Sequence, residues 1–412
     1  MAPKNNPGTM NSEQLLTLTP QLLELLKGIQ QMEFQNVTLE IGDLEFFIPS
    51  SAFSPPLHST IIPTAAIQKP TELIRESYVP LVTEYPGKIR EVTLGATKAQ
   101  GGSRNRTISI GGATTPAYSD RLHPPLNPPI ISLDVFDMTV SLPAELRENV
   151  KEVMGDPAEW ARMNVNKFGA DMITIHLMST DPLLGNASVA QAVKTVEEIL
   201  QAVDVPLIIG GCGDPRKDAA VFTAVAEMAH GERLLLNSVT LDMAEAKTLK
   251  SVATAAHKHD HLLLAFTGLE LNNAKELNRR LYEFIAPEQI VMDLTTVALG
   301  YGLEYSFTIH ERARYAALMG DSELAHPVIS AATNAWAARE AWMKMAPKYG
   351  PRELRGPIWE TVNAITLMLA GIDLFLMMHP AAVFTIKDVI RRLDMTKDIP
   401  VEPLQDWVSV RI

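Results

Sequence analysis

The chain has 412 residues, 46% of them hydrophobic and 20% charged, a globular balance with room for a barrel-sized domain of about 250 residues and something more. A formal charge of −12 argues against nucleic-acid binding, and one cysteine, Cys212, excludes an intramolecular disulfide and any cluster or zinc site built from several thiolates of this chain. The longest apolar runs are far too short to span a bilayer, and the N-terminal stretch carries no apolar segment behind its lysine, so a cytoplasmic protein outside the membrane is expected.

In chain order, residues 11–32 place leucines at helical spacing around a proline, and 34–49 alternate as two short strands about Gly42-Asp43. Residues 50–87 are rich in Pro, Ser and Thr and read as a linker or strap, so 1–87 form an N-terminal extension. Over 88–128, KIREVTLGA and RTISIGG flank the turn cluster Gly101–Asn105 and predict a β-hairpin. The proline-rich run His123–Pro129 then marks a boundary.

Eight continuously apolar strands follow, at 130–137, 170–177, 205–211, 233–239, 261–267, 289–295, 327–333 and 372–378, each succeeded by helical periodicity. Strands with no wet face require a parallel sheet covered by helices, and eight is the number that closes a (β/α)8 TIM barrel, here over 129–393 with a tail at 394–412. A doubly wound open sheet is the rival. Its phosphate-binding Gly-x-Gly-x-x-Gly is missing after the first strand, where Phe136-Asp137-Met138-Thr139 stands instead.

In such a barrel the ligand face lies at the strand C-termini. Those positions collect Asp134 and Asp137; His176, Ser179, Thr180 and Asp181; Gly210–Asp214; Asn237 and Ser238; Thr267; Asp293, Thr295 and Thr296; Thr333 and Asn334; and His379. The rim is rich in hydroxyls and amides and poor in converging metal ligands, and no Gly-x-Ser-x-Gly elbow supports acyl transfer. The turn Gly210–Pro215 carries two readings: Gly211 and Gly213 permit close approach of a ligand, or they form a tight strand-to-helix turn capped by Asp214. The cluster His257–His261 closes a helix at the opposite end of the barrel and reads as structural or solvated, as does Arg352–Arg355.

Several ordered blocks between Lys88 and Leu393 resemble one family: EVTLGA, RTISIGG, DPAEWARMNV, GADMITIHLMSTDP, PLIIGGCGDPRKD, the stretch from Met292 to Met343, RGPIWE and DLFLMMHPAAV. They are similar to the small (delta) subunit of the corrinoid iron-sulfur protein of the acetyl-CoA decarbonylase/synthase complex. The resemblance implies a methyltransferase-like barrel paired with a large (gamma) subunit that carries the iron-sulfur cluster and most of the cobamide site, with the cobamide shared between the two. Its further implied partners are acetyl-CoA synthase and carbon monoxide dehydrogenase components and a methyl-tetrahydropterin methyltransferase or methyl donor. The implied task is methyl transfer between a tetrahydropterin and the synthase, in the reductive acetyl-CoA (Wood–Ljungdahl) pathway or in acetate cleavage, with the chemistry performed by the cofactor rather than by a catalytic side chain. The expected cobamide-facing residues are Asp293, Thr295, Thr296, Thr333, Asn334, His176, Thr180, Gly211, Gly213 and Asn237. Two alternatives stand beside this: a free-standing pterin-dependent methyltransferase using Asp134, Asn237, Asp293 and Asn334, and a purely scaffolding subunit. Two positions depart from the family pattern, Gly-Cys-Gly-Asp-Pro at the third turn and Leu294 in place of proline.

Overall fold

The computed structural model describes residues 83–119 and 125–394. Of the helix, short hairpin and strap expected over 1–87, residues 1–82 lie outside the described residues, as do His123, Pro124 and the expected 394–412 tail beyond residue 394. A hairpin of β1 (Glu91–Leu94) and β2 (Ile108–Gly111) comes first, antiparallel, with Leu94 opposite Ile108. Eight parallel strands then close a barrel: β3 (Ile130–Phe136), β4 (Met172–His176), β5 (Leu207–Gly210), β6 (Leu235–Val239), β7 (Leu262–Phe266), β8 (Ile290–Asp293), β9 (Val328–Ala331) and β10 (Leu374–Met377), which pairs with both β9 and β3.

Period-two alternation sorts each strand between two cores. Ile131, Leu133, Ile173, Ile175, Leu207, Ile209, Leu263 and Phe375 face the surrounding helices. Met172, Ile208, Leu235, Leu262, Leu264, Val291, Ile329, Leu374 and Leu376 fill the barrel together with Val92, Leu94, Ile108 and Ile110 of the hairpin. The hairpin therefore plugs the N-terminal end. Its backbone bonds confirm the location, since Arg90 N donates to Ala325 O and Gly95 N to Arg233 O, both just ahead of barrel strands. Buried apolar side chains close that end, which leaves the C-terminal end for ligands.

The outer helices are α1 (Ala144–Val150), α2 (Pro157–Asn166), α3 (Val189–Ala202), α4 (Lys217–Met228), the short α5 (Leu241–Glu245), α6 (Leu249–Lys258), α7 (Leu271–Leu281), α8 (Leu303–Leu318), α9 (Arg352–Leu369) and α10 (Pro380–Asp394). Local chemistry sets their starts. Asp156 accepts from the amides of Ala158 and Glu159 ahead of Pro157, and Ser188 and Gln191 form a reciprocal capping box. The helix expected directly after β9 is replaced by three 3-10 turns, Ala332–Ala337, Arg339–Ala341 and Pro347–Tyr349, and α9 begins only after Pro351. Pro347, Gly350 and Pro351 break helical continuation there. No helix among the described residues is long and apolar enough to cross a membrane.

Candidate functional site at the C-terminal mouth

The inward positions at the strand ends carry Asp134, Phe136, His176, Asn237, Phe266 and Asp293. Ser132 and Thr174 share a 2.7 Å hydroxyl bond just below them. Above it stands Asp134, 3% exposed, with neither carboxylate oxygen in a hydrogen bond. His176 Nε2 lies 3.1 Å from Asp134 Oδ1 but off the line of a good bond, and its ring stacks on Phe136 at 5.0 Å. Thr267 Oγ1 is also buried without a partner. Asp134 and His176 thus face each other as a close pair without a well-aligned hydrogen bond, and the Thr267 hydroxyl beside the same mouth is buried without one.

Asp293 is 8% exposed, and its Oδ1 accepts from Thr295 N at 2.8 Å. Burial pushes its carboxyl up to about 7, so near neutrality it is partly protonated and can donate as well as accept. A folded-state value above the ordinary 3.8 adds stability below that ordinary value, and this is lost as pH rises towards 7 at about 1.4 kcal/mol per pH unit. Asp293→Asn removes the titration. In thermal melts its Tm relative to the parent chain is expected to rise between about pH 5 and about pH 8; a difference flat across that range would overturn the assignment.

Other expected rim groups are spent inside the chain. Thr295 sits at φ +77°, a strained setting for a β-branched residue, and its hydroxyl donates to Thr267 O. Thr296 is buried with its hydroxyl 2.9 Å from Ser330 Oγ, while Asn334 Nδ2 donates to Thr296 O. Thr180 is fully buried and donates to Leu177 O. The reason is general: a loop leaving a strand must satisfy its own carbonyls. Thr333 lies half-buried beside the exposed Asn334.

The glycine turn is explained by a residue that the sequence reading passed over. Asp218, in the first turn of α4 and 3% exposed, accepts from the amides of Cys212 and Gly213, each at 2.8 Å, while Gly211 N donates to Asn237 O. A Cβ on Gly211 would sit 2.4–2.5 Å from that carboxylate. Gly211 and Gly213 therefore serve a structural turn, and their amides are not free for a ligand. Asp214 accepts from Arg216 and Lys217 amides as a cap. Burial raises the Cys212 thiol, which suits a packed group rather than a reactive thiolate.

The sequence reading also missed Glu360. It lies inside α9, fully buried, and accepts from Trp336 Nε1 (3.0 Å), Met378 N (2.6 Å) and His379 N (3.0 Å). It ties the segment after β9 to the end of β10, where Trp336 stacks on His379 at 6.0 Å. Burial, with a smaller contribution from Asp134, pushes its carboxyl up to about 7. Around the mouth the strand end exposes Phe266 and the loops expose Leu183, Leu184, Leu269 and Tyr301. Among the described residues no group of three or more His, Cys, Asp or Glu could hold a metal ion.

A closed barrel of eight parallel strands with helices between them, plugged at its N-terminal end by a hairpin, is a (β/α)8 barrel. Its sequence places it more narrowly. A family model described as CO dehydrogenase/acetyl-CoA synthase delta subunit matches residues 91–351, and the chain belongs to that family. It is 47% identical over 350 residues to the acetyl-CoA decarbonylase/synthase complex subunit delta of Archaeoglobus fulgidus, covering 83% of this chain and 76% of that protein. The Methanosarcina mazei subunit delta is 46% identical over 366 residues, covering 87% and 83%, and that of Methanothermobacter thermautotrophicus is 40% identical over 401 residues, covering 96% and 98%. Among solved structures, Xanthomonas albilineans dihydropteroate synthase with 4-aminobenzoic acid aligns at a TM-score of 0.44 and 14% identity, over 65% of this chain and 94% of that one. At that level it adds nothing to the topology described above.

Proposed function

We propose that this chain is the barrel subunit of an acetyl-CoA decarbonylase/synthase complex and that its C-terminal mouth faces a cobamide held jointly with a large corrinoid iron-sulfur subunit. In this reading the pair carries a methyl group between a methyl-tetrahydropterin and acetyl-CoA synthase. The observation that carries it is the unsatisfied set Asp134, His176 and Thr267 at the mouth. A corrin ring bears amide arms on a broad apolar face, so these residues fit it: Asp134 would accept amide N–H groups, Asn237 and partly protonated Asp293 offer both donor and acceptor, and the exposed Phe266, Leu269 and Tyr301 cover apolar edge and exclude water. When bound, the cobamide supplies a cobalt that takes up and releases the methyl group.

Coexpression with a large corrinoid iron-sulfur subunit tests this. The expected product is a heterodimer with near-stoichiometric cobamide, measured by its visible absorbance, while the chain alone is colourless. Asp134→Ala in that heterodimer is expected to weaken cobamide retention about tenfold or more, the effect of stranding a buried polar contact. Failure to associate with any such subunit sinks the reading. A second reading, a free-standing pterin methyltransferase, is favoured by the convergence of Asp134, Asn237 and Asp293 at one mouth. Calorimetry of the lone chain with a methyl-tetrahydropterin separates the two, since only the second requires tight binding there.

A further inference from the structure

Arg355 stands in the second turn of α9, beside the mouth, and is 5% exposed. Its Nη2 donates to Met343 O, but Nε and Nη1 are buried with no partner. One turn further on the same helix, Trp359 Nε1 is also buried and unpartnered. Nearby tryptophans differ: Trp336 Nε1 bonds Glu360, and Trp342 Nε1 bonds Trp336 O at 3.1 Å. Trp336, Trp342 and Trp359 pack in one cluster with Leu146 and Met378. Glu145 gives Oε1 to Arg352 Nε at 3.0 Å and its Oε2 is buried without a hydrogen-bond partner, and among the described residues no carboxylate forms an ion pair with Arg355. A guanidinium held out of water without an anion is among the costliest arrangements a fold can hold, and it is found where a charge arrives from outside. The cover is thin, since residues 346–354 are exposed.

We infer that Arg355 and Trp359 form an oxyanion site, taking a carboxylate or phosphate group of a small molecule bound at the β9–β10 side of the mouth. The site goes beyond the cobamide reading and does not depend on it. Arginine suits either group because its N–H donors are fixed in a plane and its charge does not titrate away. The indole N–H of Trp359 adds a neutral donor to the same acceptor class.

The test uses the full chain in thermal melts and tryptophan-fluorescence titrations with inorganic phosphate and with acetate, against chloride at matched ionic strength. The expected result is a saturable rise in Tm and a fluorescence change with at least one of the two; phosphate alone identifies a phosphoryl group, acetate alone a carboxylate. Arg355→Met is expected to abolish the response while leaving the anion-free Tm unchanged or higher, since it removes an uncompensated buried charge. Trp359→Phe keeps the packing, removes one N–H and is expected to weaken the response about threefold to tenfold. The inference is overturned if the parent chain gives no saturable response, or if Arg355→Met responds like the parent. It is equally overturned if Arg355→Met and Glu145→Gln each lower the anion-free Tm with strong coupling, because Arg355 would then be paired with Glu145 inside the chain. None of these outcomes depends on whether cobamide binds.

Discussion

Glu360→Ala is expected to cost about 3–5 kcal/mol of folding stability, one of the two largest effects a single substitution should have on this barrel. Three donors on two separate segments, Trp336 Nε1 and the amides of Met378 and His379, each lose a buried acceptor, and α9 gains a void where the carboxylate stood. Backbone donors cannot turn away to find water, so the two amide losses are the firmest. The pH dependence has a definite sign. With its carboxyl raised from 4.5 to about 7, Glu360 contributes most below 4.5, and the contribution is lost as pH rises towards 7. Urea denaturation should therefore show the largest deficit of the alanine variant near about pH 5 and a smaller one near about pH 8. A deficit that grows with pH would mean that Glu360 is held as an anion.

How much of this was legible beforehand differs between fold and site. The eight strands stood out because every one is buried on both faces, which leaves long apolar runs between polar strand ends. Observed strands such as Leu207–Gly210 are shorter than the expected 205–211, although Pro206 O accepts from Ile173 N and Gly211 N donates to Asn237 O, so pairing runs on past the regular strand. At the mouth, alternation along each strand places Asp134, His176, Asn237 and Asp293 at its inward positions. For the threonines and the glycine turn, which reads either as a ligand turn or as a capped strand-to-helix turn, residue type does not reveal where a hydroxyl or amide finds its partner. For Thr180 that partner is three residues away; for Gly213 it is Asp218 on the next helix. Glu360 and Arg355 were missed for a further reason. They are the last and first residues of RGPIWE; the run Arg352–Arg355 reads as structural or solvated from sequence, and only the fold of the segment after β9 buries Arg355 and Glu360.

The second large effect is expected from Gly356→Ala, a change that would be nearly neutral or stabilising on an exposed helix face. Here a Cβ would stand 2.2 Å from two ring carbons of Trp336, Cζ3 and Cη2. Real side chains do not approach so closely, so either the indole or α9 must move. The indole is fixed on its opposite edge by the bond to Glu360 and on one face by His379, and α9 is fixed by the same carboxylate through Met378 and His379. Displacement therefore breaks polar bonds as well as packing, for an expected loss of about 3 kcal/mol in urea denaturation. The two substitutions strain one network, so their effects should not add. In Glu360→Ala the indole is already released from its acceptor, and the added methyl should cost about 1 kcal/mol or more less there than in the parent chain. An additive double mutant would show that Trp336 is held by its packing alone, and the role given to Glu360 in setting the β9–β10 side of the mouth would fall with it.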